Sequence, residues 1–338
     1  MCQPRFGLSS RTFRQSAKPS QRRHCPVRRT ACWLMNGYPR RLRMPKFMSM
    51  NQESDNMAPD AANVVSDELV EIRGLRFHYR DWPSKRAGAP SLVLLHGFTG
   101  HARSWDPFAE AMTDRYRVLS LDLRGHGETG WAGPGGYNID AFVADIDCFA
   151  QAMKLESFSL VALSMGGLAA MVYAGQRPAA LASCVLIDFG PEIDLAGIGR
   201  IQSNVHAPDT FATRDEAFAV ARADSDRQPE AAHRLRSDAG LMRTEDGQWT
   251  YRYDRALRVP GELNLPNPET IWQTISHIEV PTLIVRGALS DILSPKVAQR
   301  MVETIPDARL ETVAAAGHGV PYDAAEDFLA VTRNFLKG

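Results

Sequence analysis

No run of 18 apolar residues occurs in the 338 positions, which excludes a membrane-spanning helix of ordinary length and membrane partners. Cysteine is sparse, with five residues, and three of them (Cys2, Cys25 and Cys32) fall within the first fifty positions. There is no CxxC pair and no His/Asp/Glu cluster at metal-ligand spacing, so neither a disulfide framework nor a metal is expected. Cys148 and Cys184 stand in apolar surroundings and read as buried thiols, which fits a reducing, cytoplasmic setting. Acids are missing from residues 1–50, which hold 12 Lys plus Arg. Because the whole chain balances 39 basic against 39 acidic residues, the remainder carries a net charge of −12. An acidic domain of this kind excludes the electrostatic footprint of a nucleic-acid binder. The opening stretch also lacks apolar periodicity. Residues 1–60 therefore read as a disordered basic extension, with Met48, Met50 and Met57 as candidate starts, in preference to a transit peptide of similar composition.

What is present is a strand and helix alternation. Strands are predicted near 68–73, 75–80, 91–95, 117–121, 158–163, 183–188, 281–286 and 309–313. Helical patterns follow near 104–114, 137–153, 166–176, 295–304 and 322–336. This order predicts an α/β chain with a mostly parallel eight-stranded sheet and helices on both faces; its first two strands form an antiparallel hairpin around Gly74. The alternation breaks between Asp188 and Val280, where charge rises and helices are predicted near 213–223 and 228–243.

Five segments carry chemistry. After the apolar run from Phe158, Ala162-Leu163-Ser164-Met165-Gly166 leads into a helix-like stretch. Small-x-Ser-x-Gly between strand and helix suits a tight turn that lifts a serine hydroxyl above the sheet edge, over the free N–H groups of the helix. The usual first glycine is Ala162 here, which keeps the small volume. His96-Gly97-Phe98-Thr99-Gly100 ends the strand at 91–95, and its Phe98 N–H, with that of Met165, can form an oxyanion hole. Arg124-Gly125-His126-Gly127 ends the strand at 117–121; His96 and His126 read as residues that order their turns, and His101 as an exposed polar histidine. Downstream, Ser290-Asp291 and Ala316-Gly317-His318 each follow a strand, giving the order Ser, acid, His at one sheet edge.

With LLHGFTGHARSWD, LDLRGHGET, LVALSMGG, VRGALSDILSP and AGHGVPYD in this order, the chain resembles the α/β-hydrolase superfamily from about residue 68 to its end. The resemblance implies a core of residues 61–190 and 278–338, with a helical cap at 191–277 inserted after the sixth strand. It implies an enzyme that needs no cofactor, with Ser164 as nucleophile and His318 as base. For the acid, the usual position of the superfamily is Asp291; Asp188 is the alternative used by some members. The SMGG elbow, the DFGPEI segment and an arginine-bearing cap further resemble the 2-(acetamidomethylene)succinate hydrolases of vitamin B6 degradation. That likeness implies a small carboxylate-bearing amide or ester as substrate, with cap arginines such as Arg200 and Arg222, and Ser290, as contacts. A broad carboxylesterase, lactonase or C–C bond hydrolase remains an alternative, as does a non-catalytic small-ligand receptor. A monomer or homodimer is expected, with no partner besides a small-molecule substrate.

Overall fold

The computed structural model describes residues 27–30, 64–259 and 261–336. Most of the basic stretch at 1–60 thus lies outside the described residues. Its one described segment, β1 (Val27–Thr30), pairs antiparallel with the next strand, so the expectation of a structureless extension does not hold for those four residues. The eight expected strands are all present. They are β2 (Ser66–Ile72), β3 (Leu75–Trp82), β4 (Ser91–Leu95), β5 (Arg117–Leu121), β6 (Phe158–Leu163) and β7 (Leu181–Ile187), then two that follow the inserted region. That region holds β8 (Thr210–Phe211), β9 (Leu241–Arg243) and β10 (Trp249–Tyr251), and the core resumes with β11 (Thr282–Gly287) and β12 (Ala308–Val313). The main sheet runs β1-β2-β3-β5-β4-β6-β7-β11-β12, antiparallel as far as β5 and parallel from there on.

Sequence alternation explains the layers. Leu92 and Leu94 of β4 pack with Trp105, Phe108 and Phe328 on one face, while Val93 and Leu95 pack with Phe142, Leu168 and Ile275 on the other. Both sets are essentially sealed from water, as a parallel sheet covered on both sides requires. Full burial of one such side chain contributes about 1.5–3 kcal/mol. Helices α1 (Asp106–Met112), α2 (Ile139–Ala152) and α3 (Met165–Gly175) supply part of these covers. The hairpin turn between β2 and β3 places Arg73 at φ 52° and Gly74 at φ 80°, the left-handed pair that matches strand twist.

The inserted region carries α4 (Leu195–His206), α5 (Arg214–Asp224), α6 (Glu230–Ala239) and α7 (Pro268–Ile275), beside a small sheet in the order β8-β10-β9. The sequence reading anticipated α5 and α6 but not α4, which two glycines weaken as a helix former, nor α7, nor the short strands. The region is stitched to the core at the His126 turn: Gly127 N donates to Arg252 O at 2.8 Å and Asp254 N to Gly125 O at 2.7 Å. The chain closes with α8 (Pro295–Thr304), α9 (Val320–Asp323) and α10 (Ala325–Phe335). Cys184 is the buried free thiol expected. Among the described residues no helix is long and apolar enough to cross a membrane.

A buried ionic cluster that sequence reading missed fixes the edge of the parallel strands. His78 on β3 places Nδ1 2.6 Å from Asp122 and Nε2 3.0 Å from Asp67, so both ring nitrogens face carboxylates. Asp122 in turn accepts from Ala102 N at 2.5 Å and Glu128 N at 2.9 Å. Burial alone would lower the pKa of His78, but the bonds to Asp122 and Asp67 outweigh it and push it up to about 9. A raised folded-state pKa means the folded state holds the proton more tightly than the unfolded chain. This contribution to stability is present in full below pH 6.5 and is lost as pH rises through about 9. Unfolding midpoints in urea should therefore fall between pH 6.5 and 9, and His78→Gln should flatten that fall. An unchanged slope in the variant would remove His78 as its source.

Candidate active site

Ser164 joins β6 to α3 at φ 53° and ψ −118°, a strained conformation for a side-chain-bearing residue. The turn is tight for reasons visible in its neighbours. A Cβ on Gly166 would stand 2.6 Å from His96 O, and one on Gly97 would stand 3.0 Å from Ser164 Cβ. Ala162, the small residue at the head of the turn, is fully buried. Met165 opens α3, and its N–H has no intrahelical acceptor.

His318 follows β12 and hydrogen-bonds Asp188, not Asp291, with Nδ1 2.8 Å from Asp188 Oδ2. Asp188 directly follows β7 with φ 48° and is fully buried. Its carboxylate also accepts from Gly287 N at 3.0 Å and from Ser290 Oγ. The structure thus brings Asp188, the alternative acid of the sequence reading, to His318 and leaves Asp291 apart from it. Asp291 is held instead by Arg200 of α4 in a fork of two 2.8 Å bonds. Burial would raise the pKa of Asp291, but the bond to Arg200 outweighs it and lowers the pKa. Ser290, expected against substrate, is spent on Asp188 and on Ile292 N.

The loop carrying Phe98 is pinned by His96, whose Nδ1 donates to Gly97 O at 2.8 Å and whose Nε2 accepts from Leu123 N at 3.0 Å. Burial pushes this imidazole down to about pKa 3, so it is neutral, as this bonding pattern demands. His126 likewise donates from Nδ1 to Arg124 O at 3.0 Å and orders its own turn. His101 differs from expectation. It is 5% exposed, with Nε2 3.0 Å from Arg236 O of α6.

Ser164, His318 and Phe98 line one cavity of about 390 Å³ between the core and the inserted region. Arg200, Arg227 and Arg236 line it too, whereas Arg222 does not: it donates to Gln228 O at 2.7 Å and supports the segment beside Arg227. Arg236 lies over the Tyr322 ring, 4.5 Å from its centre. Arg227 and Arg236 belong to the arginine-rich stretch of the sequence, yet nothing in their local pattern separates them from their neighbours. Tyr322 and Asp323, also missed, sit four and five residues after His318 in the AGHGVPYD segment. Asp323 accepts from Gly317 N at 2.9 Å and so holds the turn that presents His318. Burial raises its pKa. Among the described residues no group of three or more His, Cys, Asp or Glu could hold a metal ion.

A nucleophile elbow, a buried carboxylate bonded to an imidazole, and free N–H groups at one sheet edge together define a class of fold. Residues 90–325 match the family model described as alpha/beta hydrolase fold, and the chain belongs to that family. It is 28% identical to the 3-hydroxybutyrate-oligomer hydrolase of Cupriavidus necator, over 80% of this chain and 96% of the relative. It is 24% identical to the 2-(acetamidomethylene)succinate hydrolase of Mesorhizobium japonicum, over 82% and 98%. The crystal structure of E-2-(acetamidomethylene)succinate hydrolase superposes with a TM-score of 0.73 at 23% identity, covering 81% of this chain and all of that one. These relatives are hydrolases, and the chain is an enzyme of that class.

Gly287 lets the two loops of the site meet. A Cβ there would stand 2.0 Å from Gly317 O. Gly287→Ala should push the His318 turn off Asp188, destabilise the fold by roughly the 1–3 kcal/mol of an overpacked position, and depress ester turnover. Wild-type stability and turnover in this variant would show that the contact is not limiting.

Proposed function

We propose that the chain is a serine hydrolase that cleaves an ester or amide bond of a small carboxylate-bearing metabolite through an acyl-enzyme. The observation that carries this reading is the 2.8 Å bond between His318 Nδ1 and Asp188, made on the same cavity that Ser164 lines. Because Nδ1 donates to the carboxylate, the lone pair of neutral His318 is on Nε2, the form needed to take the Ser164 proton. The serine oxygen attacks the substrate carbonyl, and the Phe98 and Met165 N–H groups stabilise the oxyanion. His318 returns the proton to the leaving group, and water repeats the cycle on the acyl-enzyme. Asp188 stabilises the imidazolium while itself staying ionised, held by Gly287 N and Ser290.

Replacing these groups one at a time tests the assignment. Ser164→Ala should lower kcat by about 10⁶, as for other triad serines. Asp188→Asn should lower it by roughly 10⁴, whereas Asp291→Asn, which breaks a partly exposed ion pair, should cost less than about tenfold on a neutral ester. A crippled Asp291→Asn enzyme beside an active Asp188→Asn enzyme would reverse the roles.

The substrate carboxylate is inferred from the guanidinium groups of the cavity. Arg227 has its Nη1 3.1 Å from where a Cβ of Gly317 would lie, which sets it beside His318. Guanidinium grips carboxylate in a fork that a neutral ester cannot match. The names of two relatives support this reading, since a hydroxybutyrate oligomer and a substituted succinate both end in carboxylates. Arg227→Gln should lower kcat/KM for an acid-bearing ester at least about tenfold more than for its methylated, neutral counterpart, the loss of one charge-assisted pair. Equal losses on both compounds would favour a broad carboxylesterase.

A further inference from the structure

A second cavity, of about 450 Å³, lies between the core and the inserted region and shares no residue with the one that Ser164 lines. Four buried polar atoms without a hydrogen-bond partner belong to its lining: His101 Nδ1, Arg214 Nε, Arg252 Nε and Asp238 Oδ1. Buried polar atoms are ordinarily satisfied, so such a concentration at one place calls for an occupant.

The charges specify which kind. Of the ionic groups in the lining, Arg103 is bonded to Asp67, His78 to Asp122 and Asp238 to Arg234. Arg214 and Arg252 have no carboxylate partner among the described residues. Arg214 lies over the Trp249 ring at 4.2 Å, and the Arg252 guanidinium donates only to Leu241 O at 3.0 Å. The one remaining acid, Glu128, is exposed to water. Two guanidinium groups thus face one cavity with donors to spare, which suits an oxyanion.

His101 adds a second requirement. Its Nε2 lies 3.0 Å from Arg236 O, and a carbonyl can only accept, so Nε2 carries the proton. Burial pushes its pKa down to about 4, which keeps the ring neutral and leaves Nδ1 with a lone pair. An occupant satisfies Nδ1 by donating to it, and Asp238 Oδ1 in the same lining is likewise an acceptor.

We propose that this cavity binds a small oxyanion that also carries an O–H group, its negative oxygens on Arg214 and Arg252 and its hydroxyl on His101 Nδ1. A hydroxycarboxylate and hydrogen phosphate share this chemistry. The proposal is independent of the acyl-hydrolase reading, because none of these three residues lines the catalytic cavity.

Isothermal titration of the full-length protein with lactate, propionate and inorganic phosphate separates the sources. Lactate should bind saturably and at least about fivefold more tightly than propionate, which lacks the hydroxyl, the ratio expected of one neutral hydrogen bond. Saturable binding of phosphate alone would also support the site and assign its source. Arg214→Gln and Arg252→Gln should each weaken binding by about tenfold or more, with hydrolysis of p-nitrophenyl acetate unchanged. Arg214 is partly exposed at the start of α5, so its variant keeps the test alive if Arg252→Gln fails to fold. No saturable binding of either hydroxyl-bearing anion would leave a water-filled cavity and overturn the proposal. So would affinities unchanged in both variants, and equal binding of lactate and propionate would contradict the role of His101.

Discussion

The site depends on satisfying one carboxylate inside the protein. Asp188 is fully buried, and a buried charge is tolerated only when it is paired and hydrogen-bonded. Three donors meet it: Gly287 N, Ser290 Oγ and His318 Nδ1. Each comes from a different segment from Asp188 itself, so β7, β11 and the turn after β12 must all end at one place. The parallel register of β7 with β11 and of β11 with β12 brings their C-terminal ends together there. Gly287 and Gly317 then allow the final approach, because no side chain stands between their backbones.

The rest of the cavity is arranged around that fixed charge. Asp291, close by in sequence, is neutralised by Arg200 and so does not compete for the imidazole. Asp323 holds Gly317 N and with it the turn before His318. On the opposite side, His96 fixes the Phe98 loop through two backbone bonds while remaining neutral, which adds no charge beside the Phe98 N–H. The inserted region contributes Arg227 and Arg236 to the cavity, and the core contributes Ser164 and His318.

The strands of the core were legible because their apolar runs are continuous and end in glycine-rich turns. The elbow was legible for the same reason, since small residues at 162 and 166 are a local demand of the turn. The acid was harder. Asp291 and Asp188 both follow strands, and what decides between them is a pair of contacts spanning 91 and 130 residues, Arg200 to Asp291 and His318 to Asp188. No local pattern encodes either. The cap arginines pose the same difficulty: Arg222 and Arg227 are five residues apart, yet only Arg227 reaches the cavity while Arg222 braces the backbone behind it. His101 read as exposed because its own segment is polar, and its burial comes from α6, more than 130 residues away.

The central claim, that Asp188 and His318 activate Ser164, is tested most directly by covalent labelling with a fluorophosphonate, followed by mass spectrometry of the modified peptide. The account predicts one adduct, on Ser164, formed at a rate that falls by orders of magnitude in Asp188→Asn and persists in Asp291→Asn. An adduct elsewhere, or undiminished labelling of Ser164 in Asp188→Asn, would contradict it.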